Sequence, residues 1–150
     1  MDTLSPRRRS QVMANIRSSG TKPERQVRSA LHRRGFRFGS GNRLPGRPDV
    51  VMPARRTVVF VHGCFWHGHE GCQRARAPKT NVEWWVEKVR VNRQRDNRVA
   101  RDLVELGWRV LVVWTCELRT VRSATETLDR LAAAIATREM SGRTEIVAAA

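Results

Sequence analysis

The chain has 150 residues, of which 40% are hydrophobic and 29% charged, a balance typical of one globular domain with its own core. Its 29 Lys and Arg residues exceed its 14 Asp and Glu residues, and the net charge of +15 indicates a polyanionic partner. Nucleic acid is favoured over a membrane, because no apolar run reaches the length of a spanning helix. No secretory signal is evident, so we expect a cytoplasmic protein with reduced cysteines.

Two helices are predicted at the start of the chain. Residues 1–20 form a basic, partly helical arm, and Gly20 is a suitable residue to end it. Residues 21–34 form the second helix, in which Thr21 and Glu24 have the spacing of a capping box. Spacing alone therefore favours a capping role for Glu24. Three consecutive arginines of the arm either contact DNA phosphates or belong to a solvated tail: Arg7, Arg8 and Arg9.

A β-hairpin is predicted next, from two short apolar runs at residues 49–52 and 57–61 with a turn between them. In an antiparallel pair the start of one strand lies beside the end of the other. We therefore expect Asp49 and His62 to face the same place.

Helices and a central strand account for the rest of the chain. A long helix is predicted over residues 82–106, a buried strand over 108–114 and a last helix over 124–137, while residues 140–150 are expected to fray. This order of elements implies a single domain over residues 1–150, with one mixed sheet flanked by helices.

The long helix carries two adjacent tryptophans. Five residues supply its apolar positions: Trp85, Val86, Val89, Val99 and Leu103. Adjacent residues of a helix point in different directions, so Trp84 and Trp85 cannot both face one core. We expect one of the two rings to be exposed or to contact a partner.

Histidines and cysteines are concentrated in residues 60–72, directly after the second hairpin strand. Structural zinc needs four ligands of these types. One loop can supply three and the segment after the last strand a fourth: Cys64, His69, Cys72 and Cys116. His67 competes with His69 for this role, and Cys116 can also be read as an ordinary buried thiol.

Three other residues indicate hydrolysis. Asp49, a carboxylate at a strand start, suits Mg²⁺, which prefers oxygen ligands and substrate phosphates. His62 and His67 can deprotonate water or donate to a phosphate oxygen. With the basic charge they predict phosphodiester hydrolysis, although Asp49 can also be read as a turn residue and His67 as a surface residue.

Five motifs follow one another within residues 7–120: TKPE at 21–24, LPGRPDVV at 44–51, VVFVHGCFWHGHEGC at 58–72, EWWVEKVRVNRQRD at 83–96 and LGWRVLVVWTCEL at 106–118. In these motifs the chain resembles the very short patch repair (Vsr) DNA mismatch endonucleases. The resemblance implies a restriction-endonuclease-like fold. It also implies an enzyme that recognises the T:G mismatch left when 5-methylcytosine deaminates, and that nicks the strand 5′ to the thymine.

The resemblance assigns roles to the polar residues. Asp49 matches the metal-binding aspartate, and Glu24 matches a glutamate that supports the water around the metal, which overrides the simple capping role. His62 and His67 match two catalytic histidines. The backbone carbonyl of Val61 would complete the Mg²⁺ shell. The structural zinc ligands are matched by Cys64, His69, Cys72 and Cys116.

The resemblance also assigns DNA contacts and shows two departures. The aromatic wedge that intercalates beside the mismatch is matched by Phe65, Trp66 and Trp85. Asn92 falls near a polar position at the metal site. Val61 stands where family members can carry threonine, and the HGHEGC loop at residues 67–72 replaces a more histidine-rich version.

The sequence thus predicts a Mg²⁺-dependent, strand-specific endonuclease with structural zinc, in the bacterial cytoplasm and associated with the nucleoid. It is expected to act as a monomer on double-stranded DNA with a T:G mismatch, with mismatch-repair proteins as candidate partners. Two alternatives are a nuclease of the same fold with another DNA target and a zinc-stabilised DNA-binding module without catalysis. The joint presence of Asp49, Glu24, His62 and His67 argues against the second.

Overall fold

A four-stranded mixed sheet forms the centre of the fold. The computed structural model describes residues 5–16, 19–41, 43–137 and 144–146. The helices are α1 (Pro6–Ala14), α2 (Lys22–Arg33), α3 (Val82–Glu105) and α4 (Val121–Ala136). The strands are β1 (Val50–Met52), β2 (Thr57–His62), β3 (Arg109–Trp114) and β4 (Thr144–Ile146), adjacent in that order. The predicted α/β architecture with a mixed sheet is confirmed.

The pairing of β2 with β3 sets the position of the candidate site. All six residues of β3 are buried, and this strand runs parallel to β2 on one side and to β4 on the other. β1 and β2 form the predicted antiparallel hairpin. Because His62 is paired with Trp114, both strands end at the same edge of the sheet. The loops that follow them therefore start side by side.

Hydrophobic clusters cover both faces of the sheet. α2 and α4 pack on the face that contains Val59 and Leu111, whereas α3 packs through Leu103 on the face that contains Val58 and Val110. The strand residues alternate between the two clusters, as the period of a strand requires. Full burial of a side chain such as Leu111 contributes about 1.5–3 kcal/mol. In the described part of the chain, none of the helices combines the length and apolar character needed to cross a membrane.

The start of α2 differs in detail from the predicted capping box. The Oγ1 atom of Thr21 accepts the backbone N–H of Glu24 (3.5 Å), as predicted. The Glu24 carboxylate, however, accepts the N–H of Gly20 at 2.7 Å. The carboxylate therefore reaches one residue further back than the box requires.

Two predicted helix ends are wrong. α1 ends at Ala14 and not at Gly20, because Asn15 already closes its last turn with backbone bonds to preceding carbonyls. Residues 1–4 and 17–18 of the predicted arm lie outside the described residues. α4 begins at Val121 and not at residue 124, because Thr120 and Ser123 form a reciprocal capping box.

The predicted fraying of residues 140–150 is wrong for Thr144–Ile146, which form β4. Val110 lies beside Thr144 and Val112 beside Ile146 in parallel register. The strand is only three residues long, too short for an alternating pattern to reveal it. The rest of that segment lies outside the described residues.

Replacing Gly46 by alanine is expected to destabilise the fold. Gly46 has a φ of +71°, and an added Cβ would lie 2.3 Å from Cγ1 of Val99 on α3. Backbone strain and overlap together should lower the free energy of unfolding by roughly 2–4 kcal/mol in urea denaturation. Gly39→Ala is the matched control, since nothing lies within 4 Å of its Cβ position. Equal stability of the two variants would contradict the packing described.

Candidate active site and metal centre

A cleft of about 870 Å³ opens where β2 and β3 end. Its acidic and imidazole groups include Glu24, Asp49, His62, His67 and Asp96. Three arginines also line it: Arg47, Arg93 and Arg95. The structure thus brings together the four residues that the sequence nominated for hydrolysis, and it surrounds them with cations suited to phosphate groups.

Asp49 directly precedes β1 and is held by β2. Its N–H donates to the carbonyl of Val59 (3.0 Å), and its Oδ2 accepts the N–H of Val61 (2.7 Å). Burial raises the pKa of Asp49 to about 6; the charge of Glu24 also raises it, whereas the Val61 N–H and Arg28 oppose the rise. The carboxylate is therefore ionised at neutral pH, in a setting that a cation would stabilise.

Glu24 brings a second carboxylate to the cleft from the first turn of α2. Its side chain is 7% exposed, and its bond to Gly20 fixes one oxygen. Capping and a role beside a metal are therefore compatible. Asp49 and Glu24 together provide the oxygen donors that a hard cation such as Mg²⁺ prefers.

His62 and His67 stack face to face in the cleft, with ring centroids 3.9 Å apart and an interplanar angle of 3°. His62 is the last residue of β2, and His67 lies in the loop that follows. Burial, and then the charge of His67, lower the pKa of His62 to about 4. At neutral pH the His62 ring is therefore uncharged, with one nitrogen as donor and the other as acceptor.

Asp96 on α3 is a site residue that sequence reasoning missed. Its Oδ2 lies 2.6 Å from Nδ1 of His67. Burial raises the pKa of Asp96, but the hydrogen bond with His67 and the nearby charges outweigh it and hold the pKa below its usual value. An ionised Asp96 accepts the Nδ1–H, which leaves Nε2 of His67 free to take a proton. The two residues are 29 positions apart, and no spacing rule indicates their contact.

Four zinc-type ligands converge next to this cleft: Cys64, His69, Cys72 and Cys116. Their ligand atoms all lie within 4.8 Å of one another, and Cys116 Sγ is 3.5 Å from His69 Nδ1. Cys116 reaches the group from the short helix Thr115–Leu118 after β3. His69 lies with the three cysteines, whereas His67 contacts Asp96. Residue spacing alone left either histidine as the fourth ligand of the group.

The thiols of this group are suited to a divalent metal. Burial raises the pKa of Cys72, but backbone hydrogen bonds and the neighbouring thiols lower it more, so that it falls below its usual value. Burial and the neighbouring thiols raise the pKa of Cys116 to about 12. A cation would hold all three thiols as thiolates, and a donor set of sulfur and imidazole nitrogen is the one that zinc prefers.

Three half-buried aromatic rings form a cluster beside the cleft: Phe65, Trp66 and Trp85. Their centroids are 5.1 to 5.8 Å apart, and all three pairs are edge-on. Trp84 lies at the margin, 58% exposed, with its ring 4.6 Å from that of Trp85. Trp84 is therefore the exposed member of the tryptophan pair.

Two residues of α3 have surroundings that the sequence pattern does not reveal. Asn92, whose place near the metal site stays a prediction, is 8% exposed, and its Nδ2 donates to the carbonyl of Trp66 (2.9 Å). It holds the loop under the aromatic cluster and has little surface for DNA. Val86, one of the apolar positions of the predicted helix, is 56% exposed. Only Asn92 and Leu103 are buried in α3, so the first turns of this helix have few inward positions.

The three arginines of the N-terminal arm lie on α1, which has no buried residue. Arg7 and Arg8 are exposed, and Arg9 is half-buried. This helix therefore presents positive charge on its surface, which supports the expectation that it faces a polyanion.

Comparison with known proteins bears on the activity of this site. A family model described as "DNA mismatch endonuclease Vsr" matches residues 1–74. The type II nicking enzyme V.XorIIP of Xanthomonas oryzae pv. oryzae is 52% identical over 118 residues, which cover 78% of this chain and 86% of that protein. V.NmeAIP, a type II nicking enzyme of Neisseria meningitidis, is 43% identical and covers 87% of this chain and 93% of its own length.

The DNA mismatch endonuclease Vsr of Escherichia coli is 46% identical over 112 residues, which cover 74% of this chain and 71% of that protein. The matched segments of all three relatives extend over most of this chain. The protein is therefore an endonuclease with DNA as its substrate, and it belongs to the Vsr family of DNA mismatch endonucleases.

Proposed function

We propose that this endonuclease nicks one strand of duplex DNA 5′ to the thymine of a T:G mismatch, in Mg²⁺-dependent very short patch repair of deaminated 5-methylcytosine. The observation that carries the proposal is that Trp66 of the aromatic cluster and His67 of the cleft are consecutive residues. Trp66 as the wedge beside the mismatch and His67 as the general base at the scissile phosphate would then be held at a fixed distance from each other. The relatives are named as a mismatch endonuclease and as nicking enzymes, which supports both the mismatch and the single-strand cut of this proposal.

The fold that we propose is the restriction-endonuclease-like fold. It is supported by a mixed sheet in which an aspartate opens the first hairpin and the preceding helix supplies a glutamate to the same cleft. The parallel pairing of β2 and β3 puts the hydrolytic groups at one sheet edge.

The catalytic metal that fits this cleft is Mg²⁺. Asp49 and the backbone carbonyl of Val61 would hold the ion, and Glu24 would orient water around it. When bound, Mg²⁺ supplies positive charge that stabilises the developing negative charge on the scissile phosphate. The raised pKa of Asp49 supports this assignment, because it marks a buried carboxylate that lacks full compensation by the protein alone. A backbone carbonyl serves equally well from valine or threonine, so Val61 is compatible with activity.

The histidines divide the proton transfer and phosphate binding between them. His67 accepts a proton from the attacking water at Nε2, because Asp96 occupies Nδ1. The water oxygen bonds to phosphorus while the bond from phosphorus to the leaving sugar oxygen breaks, and that oxygen takes a proton from solvent. His62 is uncharged and donates a hydrogen bond to a phosphate oxygen as negative charge builds there.

Zinc is proposed as the structural ion of the four-residue group Cys64, His69, Cys72 and Cys116. Its contribution is to join the loop after β2 to the segment after β3. That loop carries both Trp66 and His67, so the zinc would fix the wedge and the catalytic base together. Binding free energy at such a site is folding free energy.

The DNA contacts proposed are the aromatic cluster at the mismatch and the arginines of α1 along the phosphates. Unstacking a base step costs a few kcal/mol, and less beside a mismatch, so stacking on Phe65, Trp66 and Trp85 would select mismatched DNA. Action as a monomer stays a prediction. A DNA-binding module without catalysis is disfavoured, because such a module does not need an ionised Asp96 paired with His67.

Asp49→Asn is expected to abolish nicking and to preserve DNA binding. The amide keeps the shape but removes the charge that holds the ion, so single-turnover nicking of a T:G duplex should fall roughly 10³-fold. Binding in a gel-shift assay should persist or tighten, because one negative charge near the DNA is lost. Asp102→Asn, at an exposed position of α3, is the matched control. Nicking by Asp49→Asn at near the control rate would place the metal elsewhere.

His69→Ala is expected to remove the structural metal and lower stability together. Loss of one zinc ligand should lower Tm by roughly 10 °C, because it forfeits several kcal/mol of binding free energy. Elemental analysis should find one equivalent of zinc in the wild type and in the control His32→Ala, which alters an exposed histidine of α2. Full zinc content and an unchanged Tm in His69→Ala would refute the site.

Trp66→Ala is expected to weaken binding to a T:G duplex more than binding to a matched duplex. Stacking of one base on an aromatic ring contributes about 1–3 kcal/mol, so the preference for the mismatch should fall roughly 10-fold. Fluorescence anisotropy with both duplexes measures it. Trp84→Ala removes an exposed ring at the margin of the cluster and should change the preference little. An equal loss on both duplexes for Trp66→Ala would show that the ring is only packing.

A further inference from the structure

Arg28 makes a contact that none of the roles above explains. It lies on α2, one helical turn after Glu24. Its Nε and Nη2 atoms both donate to the backbone carbonyl of Asp49, at 3.0 and 2.8 Å. Its Nη1 lies 4.0 Å from Oε2 of Glu24. One guanidinium group therefore lies against the two residues that carry the carboxylates of the cleft.

The position of this contact matters because of how Asp49 is otherwise held. Its N–H and its Oδ2 are both bonded to β2, at Val59 and Val61. These bonds fix Asp49 to the sheet but not to α2. The carbonyl contact with Arg28 ties Asp49 to the helix that supplies Glu24. Arginine suits this task, because its donors are fixed in one plane and two of them can meet one oxygen, whereas lysine has a single flexible ammonium group.

The charges in the cleft make such a tie useful. Asp49 and Glu24 repel each other, and the charge of Arg28 offsets that repulsion. A divalent ion needs both groups at set distances, and Mg²⁺ tolerates little departure from octahedral geometry. Residues that orient metal ligands without touching the metal typically change metal affinity about 10- to 100-fold when replaced.

We propose that Arg28 is a positioning residue, which fixes the Asp49 carboxylate relative to Glu24 by clamping the backbone carbonyl of Asp49. This inference rests on the proposed binding of a divalent ion by Asp49. Two other roles would give different results. A residue that acts only through its charge is replaceable by lysine, and one that only stabilises the fold changes Tm without changing metal affinity.

The test uses the zinc-loaded full chain and Mn²⁺ as a spectroscopic substitute for Mg²⁺. Electron paramagnetic resonance gives the Kd for Mn²⁺ without DNA, thermal melting gives Tm, and nicking of a T:G duplex gives kcat and KM. Arg28→Lys and Arg28→Ala should both raise the Kd about 10-fold and lower kcat at fixed Mg²⁺, while KM for DNA stays within about twofold. Arg33→Lys, at an exposed position of the same helix, is the control and should match the wild type.

Two results would overturn the inference. If Arg28→Lys binds Mn²⁺ with the wild-type Kd, Arg28 acts only through its charge. If Arg28→Ala binds Mn²⁺ more tightly than the wild type, the main effect of Arg28 is to repel the ion. If Arg28→Ala does not fold, Arg28→Lys carries the test, because it keeps the charge and most of the side chain. Asp49→Asn distinguishes failure of the proposed function from failure of this inference. If Asp49→Asn binds Mn²⁺ like the wild type, the proposed function fails. If Asp49→Asn loses Mn²⁺ binding while Arg28→Lys keeps it, only this inference fails.

Discussion

The parallel pairing of β2 with β3 is the constraint on which the site depends. It places His62 beside Trp114, and it starts the loop after β2 next to the segment after β3. The zinc-type ligands can converge only because Cys116 follows one strand and the other three follow its neighbour. The same register brings the cleft, the metal group and the aromatic cluster to one edge of the sheet. Moving β3 by one residue would exchange its two faces and separate these groups.

The charge at this edge is mixed, unlike that of the whole chain. The protein carries +15 overall, which favours approach to DNA, whereas the cleft is lined by Asp49, Glu24 and Asp96 as well as by three arginines. The arginines can face a phosphate, but a phosphate beside the carboxylates needs a cation between them. The charge pattern therefore gives the ion two roles in the proposed mechanism. It offsets the buried acidic groups, and it makes the cleft able to accept the scissile phosphate.

Much of the fold could be predicted because local signals agreed with it. The hairpin, the long helix α3 and the continuous apolar run of β3 each have a clear pattern in the sequence. The position of the site was predictable from residues 60–72, because histidines and cysteines are concentrated there. Contacts over long separations were not predictable: Asp96 reaches His67 over 29 positions, and Arg28 reaches Asp49 over 21. The bond from Asn92 to the Trp66 carbonyl was not predictable either, because a motif gives the neighbours of a residue in sequence and not the direction of its side chain.

The central claim is that one edge of the sheet both selects a T:G mismatch and cuts the strand beside it. A single-turnover nicking assay with the wild-type protein and end-labelled duplexes tests this most directly. The account predicts one nick, 5′ to the thymine of the T:G pair, that requires added Mg²⁺ and is absent from the matched duplex. Cleavage of the matched duplex at a similar rate, or a nick that needs no added Mg²⁺, would contradict it.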